Sequence, residues 1–226
     1  MYYFGQYVEI NYEKAYEFFS QLVEERNYAS AKYYIGRMYY YGQYLPQNYQ
    51  KAFDIFEELV ETNNDYDAKY YLGETYYYGL NGEISYQKAY NIFMELIEKF
   101  QCPRSSYYVG RMYYFGQYVE KDYSKAYKLL VNASNASNNG EAEIMIAMIL
   151  IKTKNTPDAI SWIEKSMKKR NVKAYGLLGR IYYLGEKGGF NVQVNKEYGL
   201  ELLEIAAKNG DKSSIDILEK IKQGNI

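Results

Sequence analysis

Apolar residues in this chain recur at helical spacing rather than in strand-like alternation. Ala31, Ile35, Met38 and Gly42 follow at i, i+4, i+7 and i+11, one stripe of a helix and the expected core. Ala15, Phe18, Phe19 and Leu22 form a comparable stripe earlier, and Ile215, Leu218 and Ile221 recur near the end. The first kind of stretch, an A helix of about twelve residues, stops at Gly42, Gly79 or Gly116, where the residue after a helix adopts positive φ most cheaply as glycine. A short loop follows, and Asn48, Ser85 or Asp122 then opens a B helix. These three residue types share the capacity to accept an orphan N–H of a first helical turn. Asn11 is placed to do the same for the first B helix. Gly36 and Ala52 are small, which predicts close approach of A and B.

The hairpin repeats. Gly36, Gly73 and Gly110 step by 37 residues, as do Gly5, Gly42, Gly79 and Gly116, and Ala15, Ala52, Ala89 and Ala126. A fixed period of this size is the mark of a stacked array. The predicted organisation is a single repeat domain over 1–226. It has a partial repeat at 1–30, well-formed repeats at 31–67, 68–104 and 105–140, and a degenerate one at 141–172. A fifth repeat spans 173–211, and a capping helix with a polar outer face spans 212–226. In the degenerate copy Ala147 replaces the inner glycine, Leu150 the tyrosine and Thr153 the closing glycine, and Thr156-Pro157 reads as an N-cap with proline at N1. The turn-rich stretch 132–140 before it is the predicted hinge. Hydrogen exchange is expected to be faster over 132–157 than over 31–126. The Asn-x-Ser sequons at Asn132 and Asn135 are read as chance.

Composition narrows the function classes. The charges nearly cancel, with 27 basic and 28 acidic residues, so nothing in bulk attracts nucleic acid or an anionic membrane. No apolar run is long enough to span a bilayer. The start lacks the zones of a signal peptide, so a cytoplasmic location is expected. One cysteine, Cys102, allows no internal disulfide, and there is no histidine, which removes the commonest general base and metal ligand. Cys102 has no base to activate it, and Gly185-Glu-Lys-Gly-Gly189 lacks the ending of a phosphate loop. Glu24-Glu25, Glu57-Glu58 and Asp65/Asp67 read as solvated. No enzyme activity, metal or cofactor is expected. Tyrosine is the outlier, at 32 of 226 residues.

The repeated unit resembles the Sel1-like repeat family, a relative of tetratricopeptide repeats. The family pattern is met by Ala31, Ile35, Gly36, Tyr39, Gly42, Lys51 and Ala52, again by Ala68, Leu72, Gly73, Tyr76, Gly79, Lys88 and Ala89, and at its end by Ala206-Ala-Lys-Asn-Gly210. The chain departs from it where the loop's second glycine becomes Tyr7, Tyr44 or Tyr118, and where Leu129 and Phe56 stand in place of a common tryptophan. The cysteine pairs of some secreted members are absent, which argues against the penicillin-binding branch. The resemblance implies an all-α fold, a right-handed α/α superhelical solenoid of helix hairpins, acting as a non-catalytic adaptor in protein complexes. Some members serve in endoplasmic-reticulum quality control or envelope assembly.

A second stripe supplies the candidate site: Tyr33, Arg37, Tyr40; Tyr70, Glu74, Tyr77; Tyr107, Arg111, Tyr114; and Tyr175, Arg180, Tyr183, where the first step is five. In the tetratricopeptide array helix A lines the concave groove, so by analogy this stripe would form a tyrosine–arginine ladder there. Tyr and Arg are enriched in binding hot spots, so the ladder is expected to hold a peptide or protein segment. The alternative is that the tyrosines cover neighbouring rungs and the arginines stack between them. A carbohydrate-binding or polysaccharide-assembly module is the rival class, since tyrosines stack on sugar rings; RNA binding is a lesser one. At the amino-terminal edge Phe18, Phe19 and Leu22 have only Met1-Tyr-Tyr-Phe4 to cover them. Either a longer natural chain or self-association through that edge is expected.

Overall fold

A computed structural model describes residues 2–5, 9–136 and 139–226. Met1, Tyr7 and two residues of the predicted hinge, 137 and 138, lie outside the described residues. The described chain is all α, with no strand among the described residues. It divides into two compact units, 1–101 and 102–226.

The first unit holds α1 (Tyr12–Arg26), α2 (Ala29–Tyr41), α3 (Tyr49–Asn63), α4 (Tyr66–Tyr78) and α5 (Tyr86–Phe100). Each packs chiefly on its neighbours in the chain, as expected of a solenoid. The predicted punctuation is present. Asn11, Asn48 and Ser85 accept the N–H groups of Lys14, Lys51 and Lys88, and Gly42 and Gly79 take φ of 67° and 66°. Tyr44, standing where the family has glycine, also has a left-handed backbone, at φ 64°. Of the predicted core stripe, Ala31 and Met38 are buried, whereas Ile35 is half-buried and Gly42, a cap rather than a helical residue, is exposed.

Close approach of A and B is real and sharply limited. A Cβ added at Gly36 would lie 2.8 Å from the Phe56 ring, and at Gly73 2.6 Å from that of Phe93. Phe56, Phe93, Met38, Leu59 and Leu96 are the largest side chains sealed in this unit. Truncating one such ring costs about 3–5 kcal/mol.

The second unit holds α6 (Pro103–Phe115), α7 (Tyr123–Ser134), α8 (Glu141–Lys152), α9 (Thr156–Lys168), α10 (Val172–Leu184), a 3-10 turn (Gly185–Gly188), α11 (Lys196–Lys208) and α12 (Lys212–Lys222). The residue against Gly110 is Leu130, buried, and not Leu129, which is only half-buried; the 37-residue step from Phe93 lands on Leu130. The N-cap of α9 is Asn155, one residue before the predicted Thr156. Thr156 is buried instead, as the first helical residue. Pro157 still falls in the first turn, where its missing N–H is harmless.

The described part of the predicted hinge is tied down by polar groups. Ser166 donates to the carbonyl of Gly140 at 2.8 Å, Asn171 to that of Asn139 at 2.7 Å, and the Lys169 ammonium to that of Ser134 at 2.8 Å. Lys169 also pairs with Glu143 at 2.5 Å, a carboxylate only 2% exposed. Ala147, in the inner-glycine position of α8, joins Ile163 in one core cluster.

Candidate binding face

An α-helix turns about 100° per residue, so one position decides whether a side chain faces the B helix or solvent. Five of the twelve stripe residues are turned inward. Tyr40, Tyr70, Tyr77, Tyr114 and Tyr183 are between 3% and 8% exposed. The reason is their partner. Tyr40 packs edge-on against Tyr49 (5.3 Å between centroids) and Tyr77 edge-on against Tyr86 (5.4 Å), while Tyr114 meets Tyr123 at a tilt (5.5 Å), in each case the first residue of the following B helix. Tyr33, Arg37, Glu74, Tyr107, Arg111 and Tyr175 are half-buried, and Arg180 is exposed. Arg180 keeps the register of Arg37 and Arg111, directly after the inner glycine and three residues before the inward tyrosine; the five-residue step instead reflects Tyr175, which stands one position early, where Lys32 stands in its own helix.

The exposed aromatics stand one residue further on. Phe4, Tyr41 and Tyr78 in the first unit and Phe115 in the second share the 37-residue step, and 43% to 53% of each is exposed. Each sits edge-on against a buried tyrosine: Tyr3 (5.0 Å), Tyr40 (5.0 Å), Tyr77 (5.0 Å) and Tyr114 (4.8 Å). They lie outside the predicted stripe, although an aromatic at each of these four steps is a visible signal in the sequence.

In the first unit Arg37 lies among rings. Its Cζ is 5.4 Å from the centroid of Tyr3, 5.7 Å from Tyr41 and 5.9 Å from Tyr33 and Tyr34. The Tyr41 hydroxyl meets that of Tyr71 at 3.1 Å. Glu74 accepts from Tyr70 at 2.8 Å and from Tyr40 at 3.2 Å. Burial, and then the Glu74 charge, push the Tyr40 hydroxyl well above its ordinary pKa. Burial, followed by the bond to Tyr71, raises Tyr41 as well. Tyr71 is pushed up to about 12, mainly by burial. In the second unit Arg111 stands over Tyr107 (5.5 Å) and Phe115 (5.9 Å). It borders a cavity of about 200 Å³ that also touches Met148 and the Glu141–Lys173 pair.

Two features lie off this face. A cleft of about 520 Å³ beside α1 is walled by Tyr2, Phe4, Phe18, Phe19 and Leu22. Among the described residues no three His, Cys, Asp or Glu gather in a way that would hold a metal. No helix of the described residues is long and apolar enough to cross a membrane.

The Sel1 repeat family model matches residues 1–26, 29–60, 67–93, 103–138 and 172–211. A comparison with curated proteins finds no match. Among solved structures, the chain is similar to a Sel1 repeat protein from Oxalobacter formigenes, with TM-score 0.73 and 21% identity over 93% of this chain and 89% of that one. It is also similar to a protective antigen with this repeat fold from uropathogenic Escherichia coli (TM-score 0.69, 22% identity, 95% of this chain, 45% of that one). A tetratricopeptide-repeat protein from Thermus thermophilus aligns at TM-score 0.54 and 14% identity, over 88% of this chain and 98% of that one. Repeats of these kinds generally serve as protein-interaction scaffolds.

Proposed function

The chain belongs to the Sel1 repeat family, and from that premise we propose that it is a non-catalytic scaffold whose A-helix face holds a peptide or protein segment. The observation that carries this reading is the exposed ring at one register of successive repeats, Phe4, Tyr41 and Tyr78. An aromatic side chain brings large contact area at low entropic cost, and a regular step suits a partner that runs along the array. Of the stripe, Tyr33, Arg37 and Glu74 add polar and stacking contacts beside the rings of the first unit, and Tyr107 and Arg111 do so beside Phe115 in the second. Tyr40, Tyr70, Tyr77, Tyr114 and Tyr183 act from beneath, by fixing how the exposed rings stand.

The test is capture of partners by proximity labelling with wild type and a Tyr41→Ala/Tyr78→Ala variant, both shown to be folded by circular dichroism. A partner held by wild type and lost by the variant supports the reading. Unchanged capture overturns the role of these rings. A glycan array run on the same pair tests the sugar-binding alternative.

The cleft beside α1 supports a second proposal, self-association through that edge. Phe18 is exposed there and stacks on Tyr2 at 6.0 Å, leaving apolar surface that water covers poorly. A clean monomer in light scattering over a wide concentration range would sink it.

A further inference from the structure

We propose that Arg37 is the point at which the bound segment is anchored by a carboxylate. This rests on the scaffold reading above and names the chemistry of the partner. The half-buried lysines of the same unit already hold acids: Lys32 pairs with Glu58, and Lys69 with Glu95 at 2.6 Å. Arg37 is also half-buried, yet no aspartate or glutamate among the described residues pairs with it. Its Nε is sealed from solvent without a hydrogen bond, so an incoming acid would meet the two Nη groups at the open end of the guanidinium, with Nε–Hε as the reporter beside them. Burial opposes its charge, and the phenols of Tyr71, Tyr3, Tyr33 and Tyr41 around it act the other way, holding the guanidinium above its ordinary pKa.

Rings stacked over a guanidinium attract its charge through their faces. Its N–H groups, however, radiate in its own plane and need acceptors in that plane. A carboxylate meets two of them with parallel hydrogen bonds. One guanidinium balances one negative charge, and the electron-rich faces around it disfavour a surplus. The site therefore suits a carboxylate better than a phosphate dianion. The exposed Tyr41 ring beside it offers an apolar seat for the acid's neighbours in the segment.

The test follows the Arg37 Nε–Hε resonance of the full chain by NMR, assigned with Arg37→Lys. The probes are acetyl-Ala-Ala-Glu-Ala-Ala-amide, the same peptide with Gln for Glu, the Gln peptide with a free terminal carboxylate, and inorganic phosphate. The expected result is a saturable shift with the Glu peptide, none with the amidated Gln peptide, and affinity at least about tenfold weaker in Arg37→Gln. A shift with the free-acid Gln peptide as well extends the carboxylate source to a chain end. No shift with either acid, an equal response to phosphate, or unchanged affinity in Arg37→Gln overturns the proposal. If it fails while Tyr41→Ala/Tyr78→Ala still loses its partner, the scaffold reading stands and Arg37 only braces the rings.

Discussion

A Cβ placed on Gly73 would stand 2.6 Å from Cε1 of Phe93 and 2.8 Å from its Cζ, both closer than van der Waals contact permits. Helix α4 can lie on α5 only because that Cβ is missing, and the Phe93 ring, fully buried, has no free space to retreat into. In an open helix, Gly→Ala adds about 1 kcal/mol of stability. Here overpacking costs about 1–3 kcal/mol. Gly73→Ala is expected to lower the urea midpoint at an unchanged slope. A raised midpoint would show that the two helices separate freely.

Tyr40 and Tyr41 are neighbours in the chain with opposite environments, 8% and 48% exposed. Tyr40→Ala is expected to destabilise by about 3–4 kcal/mol, in the range of buried aromatic truncations. Tyr41→Ala loses little buried area and one hydroxyl contact with Tyr71, so about 1 kcal/mol is expected. Thermal or chemical denaturation of the two variants compares them directly. Equal losses would contradict the inward placement of Tyr40.

Several tyrosines carry raised pKa values in the folded chain, among them Tyr3, Tyr40, Tyr41, Tyr71 and Tyr114, with burial the first cause in each. A group raised above its unfolded value of about 10 keeps its proton when folded while the unfolded chain releases it. Its contribution is complete below that pH and is lost as pH rises toward the folded value, about 12 for Tyr71. Stability is therefore expected to be insensitive to these groups up to about pH 9 and to fall steeply from about 10 to 12. A tyrosinate absorbance titration should show one fraction ionising near the ordinary value and another only as the helical signal is lost. A single smooth titration of the folded chain would refute this.

Lys169→Met would leave the Glu143 carboxylate in the second unit without its ammonium partner. Breaking one side of a buried pair costs about 3–5 kcal/mol. The amides of α8 are expected to exchange markedly faster in this variant, while α2 and α3 are unaffected. Hydrogen exchange of the wild type decides at the same time whether the segment around 132–157 opens before 31–126. Equal protection of α8 in both proteins would show that the pair does not hold it.

The helices themselves were legible because their signals are local. Asn11, Asn48 and Ser85 cap, Gly42 and Gly79 close, and a glycine meets a large side chain at every regular step; each follows from backbone sterics or from hydrogen bonds within a few residues. Where the signal weakened, positions slipped by one: Asn155 rather than Thr156 is the N-cap of α9, and Leu130 rather than Leu129 fills the place of Phe93. The tie across the degenerate repeat was not readable, since Ser134 ends α7, Glu143 lies in α8 and Lys169 follows α9, and no local rule joins them.

By itself, the sequence determined an all-α array of helix hairpins with its period, caps and small-residue contacts. Only the tertiary structure decided which tyrosines face solvent. The chain is rich enough in tyrosine to place one on almost every face of an A helix, so composition and spacing do not separate Tyr40 from Tyr41. The packing of Tyr49 against Tyr40 does, because a ring that fills the gap to the next helix leaves its neighbour, about 100° around the axis, in the open.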